Sequence, residues 1–281
     1  MQKEKPIISI ITAVRNQLAM NELFLESLQR YTKISYELII IDNNSTDGSR
    51  ELFEKFGATV IHNEQNYSYP YCQNQGIRVA EGDFLAFFNN DIILSPEWDT
   101  RLLEVIGKNG CEVVSFATND HCPSGEETKK YNRRWKRIKY PLLLCGGSSR
   151  FWLRLMFRLM YCNYEKTSQR FYEKYKYEMR LGFSGPAIIF SRLGLEKAGL
   201  WDERLQCADF DLYARLRKRH AEIGDIQPLS IISGIYIHHY GRLSSKAGRK
   251  QIVFADNANL ISLDDKWGEG FGDMISKEIR Q

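Results

Sequence analysis

Along the first hundred residues, apolar positions fall alternately into short unbroken runs and into helical spacings. Residues 7–14 form an isoleucine-rich run, the pattern of a strand covered on both faces. Residues 18–31 carry apolar side chains at helical spacing. A second buried run, 38–41, ends at Asp42-Asn43-Asn44-Ser45, and Asp47-Gly48 opens a helix through Phe56. Residues 58–61 predict a third strand, and 71–80 a helix closed by Gly82. The fourth strand, 84–88, runs into Asn89-Asn90-Asp91. Ser95-Pro96 starts the next helix, with proline in its first turn, and 113–117 is a fifth strand. Further on, the pattern predicts a strand at 187–190, a helix at 209–220, a strand at 231–239 and a terminal helix with connecting turns over 247–267.

Repeated strand-helix-strand units predict an α/β fold: a mainly parallel sheet with helices on both faces. Ligands of such sheets bind at the carboxyl ends of the strands. The polar clusters 12–16, 42–45 and 89–91 all fall at those ends, so separate strands deliver polar groups to one edge.

Composition changes this picture in one place. The chain has 281 residues, 43% hydrophobic and 26% charged, which is ordinary for a globular protein and allows one large domain with an insert. The net charge of +4 excludes little, but its distribution is uneven. Residues 128–180 hold fifteen Lys or Arg against three Glu, about +12, which leaves the rest near −8. The start, Met1-Gln2-Lys3-Glu4-Lys5, is polar, and the run 7–14 is too short to cross a bilayer. The longest apolar-rich stretch, 151–161, is broken by Arg154 and Arg158. The expectation is a cytoplasmic protein with no transmembrane helix. Six scattered cysteines without a C-x-x-C pair are expected to be reduced.

Four constellations could carry chemistry, and each has a plain structural alternative. Asp91 at a strand end can hold a hard divalent cation, or the Asn89-Asn90-Asp91 stretch can be a polar turn before the next helix. Asp42 can accept from the imide N–H of a pyrimidine base, or be an ordinary turn residue. Asp209 can remove a proton from an acceptor hydroxyl, or serve as the N-cap or first-turn acid of a helix. Asp211 is placed to pair with Arg215, four residues on. His238-His239 at a strand end can supply a metal ligand, with His238 as the alternative to His239, or be structural.

Taken in order, these pieces resemble family 2 of the glycosyltransferases. The resemblance rests on the segments Ile8–Asn16 and Ile39–Ser49, then Asn74-Gln75-Gly76-Ile77 and Glu81–Asp91. It continues through Gly185-Pro186-Ala187, Gly199-Leu200-Trp201-Asp202-Glu203, Asp209-Phe210-Asp211-Leu212, His239-Tyr240-Gly241 and Lys266-Trp267-Gly268. It implies a GT-A fold, Rossmann-like, of the rhamnosyl- or galactosyltransferase-like branch. One domain would hold a nucleotide-sugar-binding half (1–118), a basic aromatic helical insert (119–181) and an acceptor and catalytic half with a C-terminal helix (182–281). Thr12, Ala13, Arg15, Asp42, Asn74, Asn89 and Asn90 would bind the nucleotide sugar, and Asp91 with His239 a Mn²⁺ or Mg²⁺ ion. Asp209 would be the catalytic base of an inverting transfer, and Gly185, Trp201 and Asp202 would face the acceptor. The donor would be a UDP- or dTDP-sugar and the acceptor a glycan or lipid-linked glycan, as in polysaccharide and cell-envelope synthesis. Two positions depart from the family's habit: Asn89 stands where an acid is common, and Ala208 where the base motif usually has glutamate.

The insert suggests one more partner. Arg150, Arg154 and Arg158 recur every four residues, so on a helix they form a stripe beside Phe151, Trp152, Leu155, Met156, Leu159 and Met160. Such a helix can lie in an anionic membrane surface, which would make the protein peripheral at the inner face of the membrane, or can simply pack on the domain. Among rival functions, a dinucleotide-dependent oxidoreductase is excluded because Thr12-Ala13-Val14-Arg15-Asn16 stands where a G-x-G-x-x-G turn is required. No nucleic-acid module is present in the basic segment, and no nucleic-acid partner is expected. A catalytically inactive binding or scaffold protein of the same family is the alternative that Asn89 and Ala208 leave open.

Overall fold

The computed structural model of the chain describes residues 5–241, 243 and 253–280. β1 (Ile8–Val14) leads into α1 (Leu18–Tyr31), β2 (Tyr36–Asn43) into α2 (Ser49–Phe56), and β3 (Thr59–Asn63) into α3 (Tyr69–Val79). β4 (Phe84–Phe88) and the two-residue β5 (Ile92–Ile93) precede α4 (Trp98–Asn109) and β6 (Val113–Thr118). Three helices follow: α5 (Gly125–Gly146), α6 (Arg150–Met160) and α7 (Tyr164–Tyr175). The chain then forms β7 (Met179–Leu181), β8 (Ala187–Ser191), α8 (Arg192–Ala198), α9 (Ala208–Glu222), β9 (Ser230–His239), α10 (Leu263–Trp267) and α11 (Phe271–Arg280).

Among the described residues there is one nine-stranded sheet, in the order β3-β2-β1-β4-β8-β6-β9-β5, with β7 added on β9. The strands β3, β2, β1 and β4 are parallel, as expected. Beyond them the sheet is mixed: β8 runs antiparallel to both β4 and β6, and β9 is parallel to β6 but antiparallel to β5 and β7. A run such as Ala187-Ile188-Ile189-Phe190, apolar on both faces, looks the same in either direction, so its sequence could not reveal the reversal.

Strand alternation separates two cores. Ile8, Ile10 and Val14 pack with Phe24 and Leu28 of α1, Phe53 of α2 and Trp98 of α4. Ile11, one residue out of phase, packs on the other face with Cys72 and Ile77 of α3 and Leu212 and Leu216 of α9. The three insert helices build a third core, in which Trp135, Met156, Tyr161 and Phe171 surround Tyr236 and Tyr240 and meet Met20 and Leu23 of α1.

This packing corrects the expected arginine stripe. On α6, Leu153, Met156 and Met160 are buried, so Met156 and Met160 cannot face a membrane. Arg150 pairs with Glu22 (3.3 Å) and Glu26, and Arg154 with Glu26 (2.7 Å), all across to α1. The stripe looks unpartnered in the sequence because its glutamates lie more than a hundred residues away. The terminal reading also changes. Residues 247–252 lie outside the described residues, as do residues 1–4 of the polar start. From 253 on, the chain holds one 3₁₀ turn at Asn257–Asn259 and two separate helices, α10 and α11, rather than one helix through 267. β5, β7 and α8 were not anticipated; runs of two to seven residues carry too little period to be seen. The six cysteines are free thiols, three of them buried. No described helix is long and apolar enough to cross a membrane.

Candidate functional site

The carboxyl ends of β1 and β2 are laced together by their loops. Asn16 donates its N–H to Ser45 Oγ (2.8 Å) and accepts from Thr46 N–H at Oδ1 (2.8 Å). Asp47 accepts the N–H of Leu18 (2.8 Å) at the start of α1. Asn16, Gln17 and Asn44 all adopt positive φ, a costly conformation for non-glycine residues that these bonds hold in place. Within this frame Thr12 is buried with its hydroxyl unpartnered among the described residues, Ala13 is half-buried, and Arg15 is exposed at the rim. Asp42 is also buried; its carboxylate contacts His62 Nδ1 (2.9 Å) and accepts the N–H of Ser45 (3.2 Å).

The second group forms where β4, β6 and β9 end. Pairing of β5 with β9 sets Ile92 opposite His239, and Tyr240 donates its N–H to the Asp91 carbonyl (2.9 Å). Asp91 and His239 are thereby brought face to face, Oδ1 to Nε2 at 3.4 Å. On the other side of the ring, His239 Nδ1 lies 3.0 Å from Asp120 Oδ2, and the His239 N–H donates to Asn119 Oδ1 (2.7 Å). A tight turn, in which Thr118 and His121 exchange backbone hydrogen bonds, presents both residues. Burial alone would lower the His239 imidazole, but the two carboxylates push it up to about 10. Burial alone would raise Asp91; the imidazole beside it holds it below the ordinary carboxylate range instead. Asp120 and Asn119 were not singled out in the sequence, where they read as one more polar turn.

His238 is excluded as the alternative ligand. Neighbouring residues of a strand point to opposite faces. His238 therefore enters the insert core, where Trp135, Phe157, Tyr161 and Tyr240 surround it and Tyr161 Oη lies 3.0 Å from Nδ1.

Asp209 stands at the other side of the cleft, in the first turn of α9. The helix is capped at Cys207, so Asp209 is not the cap; its Oδ1 accepts the N–H of Phe210 (3.0 Å). Gly185 lies beneath it: a Cβ at that position would sit 2.6 Å from Asp209 Oδ2. Only a residue without a side chain lets the carboxylate take this place. Burial pushes the Asp209 carboxyl up to about 6, with its backbone hydrogen bonds opposing. Tyr69 and Trp201 stack edge to face nearby, and Tyr69 Oη and Trp201 Nε1 are buried without partners among the described residues. The two sides of the cleft are joined directly, since Asn89 donates its N–H to the carbonyl of Pro186 (2.9 Å), next to Gly185.

Four expected contact residues are engaged elsewhere. Asn74 is buried and bonds Trp201 through both ends of its amide, and also Glu203 (2.9 Å), so it fastens the 201–203 loop to α3 and does not close a nucleoside pocket. Asn90 donates to Asn21 Oδ1 (2.6 Å) on α1, and buried Asn21 in turn reaches Asn16 and Ser49. Trp201 packs between Phe87 and Phe190 in the core and offers no face to an acceptor. Asp202 holds Arg204 (2.8 Å) and Lys266 (2.8 Å), which ties α10 to the same loop. Asp211 pairs with Arg215 as expected (2.8 Å), and also takes Lys266 (2.6 Å) and Trp267 Nε1 (2.9 Å).

Among the described residues, no group of three or more His, Cys, Asp or Glu side chains forms a cage for a metal. The pair that is present nonetheless fits one. Asp91 Oδ1 is buried with no hydrogen-bond partner among the described residues, and His239 Nε2 is directed at it. A hard cation bound by one or two protein groups, with diphosphate oxygens and water in its other positions, needs no more.

Comparison with known proteins agrees with this geometry. The profile of "Glycosyl transferase family 2" matches residues 9–171. Glycosyltransferase AglE of Haloferax volcanii is 29% identical over 133 residues, covering 44% of this chain and 43% of that protein. The putative glycosyltransferase EpsH of Bacillus subtilis is 32% identical over 109 residues, 37% of this chain and 31% of its own length. The chain thus spans less than half of either relative. Among solved structures, the mannosyltransferase PcManGT from Pyrobaculum calidifontis, in complex with GDP-Man and Mn²⁺, superposes with a TM-score of 0.51 at 13% identity. That match covers 82% of this chain and 57% of that one, and is a likeness of fold.

Proposed function

The chain belongs to glycosyl transferase family 2, and we propose that it moves a sugar from a UDP- or dTDP-sugar to a hydroxyl of a glycan or lipid-linked glycan, with inversion at the anomeric carbon. The observation that carries this reading is Asp209. Its carboxyl, raised to about 6 and lying over a glycine at the cleft, suits a base that is ionised at neutral pH yet still takes up a proton. Together with the glycine beneath it, this supports the catalytic reading over an inactive scaffold despite Ala208 and Asn89.

In the proposed reaction, Asp209 takes the proton of the acceptor hydroxyl while the oxygen attacks the anomeric carbon. The bond from that carbon to the diphosphate oxygen breaks on the opposite side, and the nucleoside diphosphate leaves with its electron pair. Asp91 and His239 Nε2 would hold Mn²⁺ or Mg²⁺, which supplies positive charge to the leaving diphosphate. The Mn²⁺ complex of the Pyrobaculum mannosyltransferase supports use of a divalent metal. Asp120 and Asn119 fix the His239 ring and backbone, so that Nε2 keeps its direction. Asp42 retains acceptor capacity beyond His62 and Ser45 for the imide N–H of uracil or thymine, with His62 as the outer, displaceable member of the pair.

The test is a panel of UDP-, dTDP- and GDP-sugars, scored by thermal shift and by release of nucleoside diphosphate with and without Mn²⁺. Stabilisation and turnover with a UDP- or dTDP-sugar that require Mn²⁺ are expected. Tighter binding of GDP than of UDP and dTDP would overturn the donor assignment, and full turnover in excess chelator the metal.

A further inference from the structure

With Arg150 and Arg154 of α6 paired to α1, most of the basic side chains between 128 and 164 that have no ion pair among the described residues lie on α5, Arg158 of α6 being the exception. Between residues 128 and 164 the sequence has ten Lys or Arg and no Asp or Glu. Arg150 and Arg154 are paired with α1, and Lys139 is buried. Lys129, Arg133, Lys136 and Arg137 have no ion pair among the described residues and, with Tyr140, line one groove on the outer side of α5. Their spacing, followed by Tyr140 and Leu144, is that of one helical face. At the far end of this face Leu144 is 89% exposed, and just past the α5–α6 turn Phe151 of α6 is 68% exposed, beside Leu155 and Arg158.

We propose that this face, a basic stripe ending in an apolar tip, docks the protein on an anionic lipid surface. The charges match a membrane bearing acidic headgroups, and Leu144 and Phe151 need an apolar phase that neither a nucleic-acid backbone nor an acidic polysaccharide supplies. The opposite face of α5 explains why docking would matter for the reaction. Trp135 Nε1 donates to the Tyr240 carbonyl (3.1 Å), and Lys139 Nζ donates to the carbonyls of Tyr240 (3.0 Å) and Gly241 (2.9 Å). One helix thus presents the lipid-seeking stripe outward and grips, inward, the segment directly after His239. Docking would hold the cleft at the height of a lipid-linked acceptor. This last step rests on the transfer reaction proposed above; the docking itself does not.

The experiment is co-sedimentation of the whole chain with phosphatidylcholine vesicles and with vesicles containing 30% phosphatidylglycerol. Each basic residue at an anionic surface is worth roughly a fivefold change in partitioning at low salt. Lys129, Arg133, Lys136 and Arg137 changed together to Glu should therefore weaken binding by more than about 100-fold. Leu144→Ser with Phe151→Ser should weaken it while leaving the charge unchanged. Arg150→Gln with Arg154→Gln should bind nearly as wild type, since those charges are taken by Glu22 and Glu26. Equal sedimentation with both vesicle types, indifference to the stripe and tip variants, or tighter capture by single-stranded RNA at the same salt would overturn the proposal. Turnover of a soluble acceptor, measured without vesicles, reports separately on the reaction. Loss of one with retention of the other shows which of the two ideas has failed.

Discussion

At the scale of single residues, the proposed chemistry turns on Asp209 and how closely it is confined. Asp209→Asn keeps the shape but cannot take a proton, so turnover should fall by about 10²–10⁴-fold with donor binding nearly unchanged. In the wild type, turnover should fall about tenfold per pH unit once pH drops below about 6, where the base becomes protonated. The stability effect has the opposite sense. The folded carboxyl titrates near 6, above its unfolded value of about 4, so its contribution is complete below about 4 and is lost as pH rises through 6. Asp209→Asn should therefore be more stable than wild type at pH 7, by up to roughly 2–3 kcal/mol in urea unfolding. A less stable variant would mean that the carboxylate is held by partners and not confined by burial. Gly185→Ala addresses the same confinement from beneath. The added methyl would meet Asp209 Oδ2, so turnover should drop by at least about tenfold while circular dichroism and melting temperature stay near wild type. Unchanged turnover would show that the carboxylate has room to move.

At the scale of elements, the site depends on turns that hold strand ends in register. The 118–121 turn after β6 reaches across to β9 and fixes His239 by ring and by backbone. Asp120→Ala should leave the ring free to turn. Mn²⁺ affinity in the presence of UDP, read by electron paramagnetic resonance, should fall by about 10–100-fold with little change in melting temperature. Affinity equal to wild type would assign Asp120 a purely structural part. The same scale shows why some sequence expectations moved. The family resemblance places Asn74 and Asn90 at the nucleotide sugar, yet their amides are satisfied by a neighbouring loop and by α1. A buried amide must find partners, and the nearest lay in segments the linear pattern does not connect.

For the whole molecule, the proposed cation would sit on Asp91 and His239 at the strand ends, and none of the three apolar cores includes either residue. Excess chelator should abolish transfer yet leave the melting temperature of the free protein within about a degree. Mn²⁺ together with UDP should raise it, as any ligand of the folded state does. A large drop on chelation alone would reveal a structural metal. Three cores surround one sheet, and the insert core joins the sheet at Tyr236 and Tyr240, on either side of the two histidines. The basic insert is therefore packed against the end of β9 that carries His239, not hung beside it.

The sequence alone determined the longer elements of the succession, though not β5, β7, α8 or the division of the terminal segment, because period-2 and period-3.6 burial patterns are local properties. α1 and β4 begin and end where their apolar residues predict, and most other elements agree within two or three residues at each end. It also determined that polar groups gather at the strand ends, since that follows from the order of strand and helix. Asp42 and Asp91 are placed at strand ends in this way, whereas Asp209, His239 and Gly185 were pointed to by the family resemblance. Tertiary structure alone decided strand direction beyond β4, the choice of His239 over His238 and the burial that raises Asp209. It likewise revealed the turn carrying Asp120 and the pairing of Arg150 and Arg154 with the glutamates of α1. Each of these depends on contacts between residues tens to hundreds of positions apart, and a periodicity read along the chain carries no information about which distant segment will supply a partner.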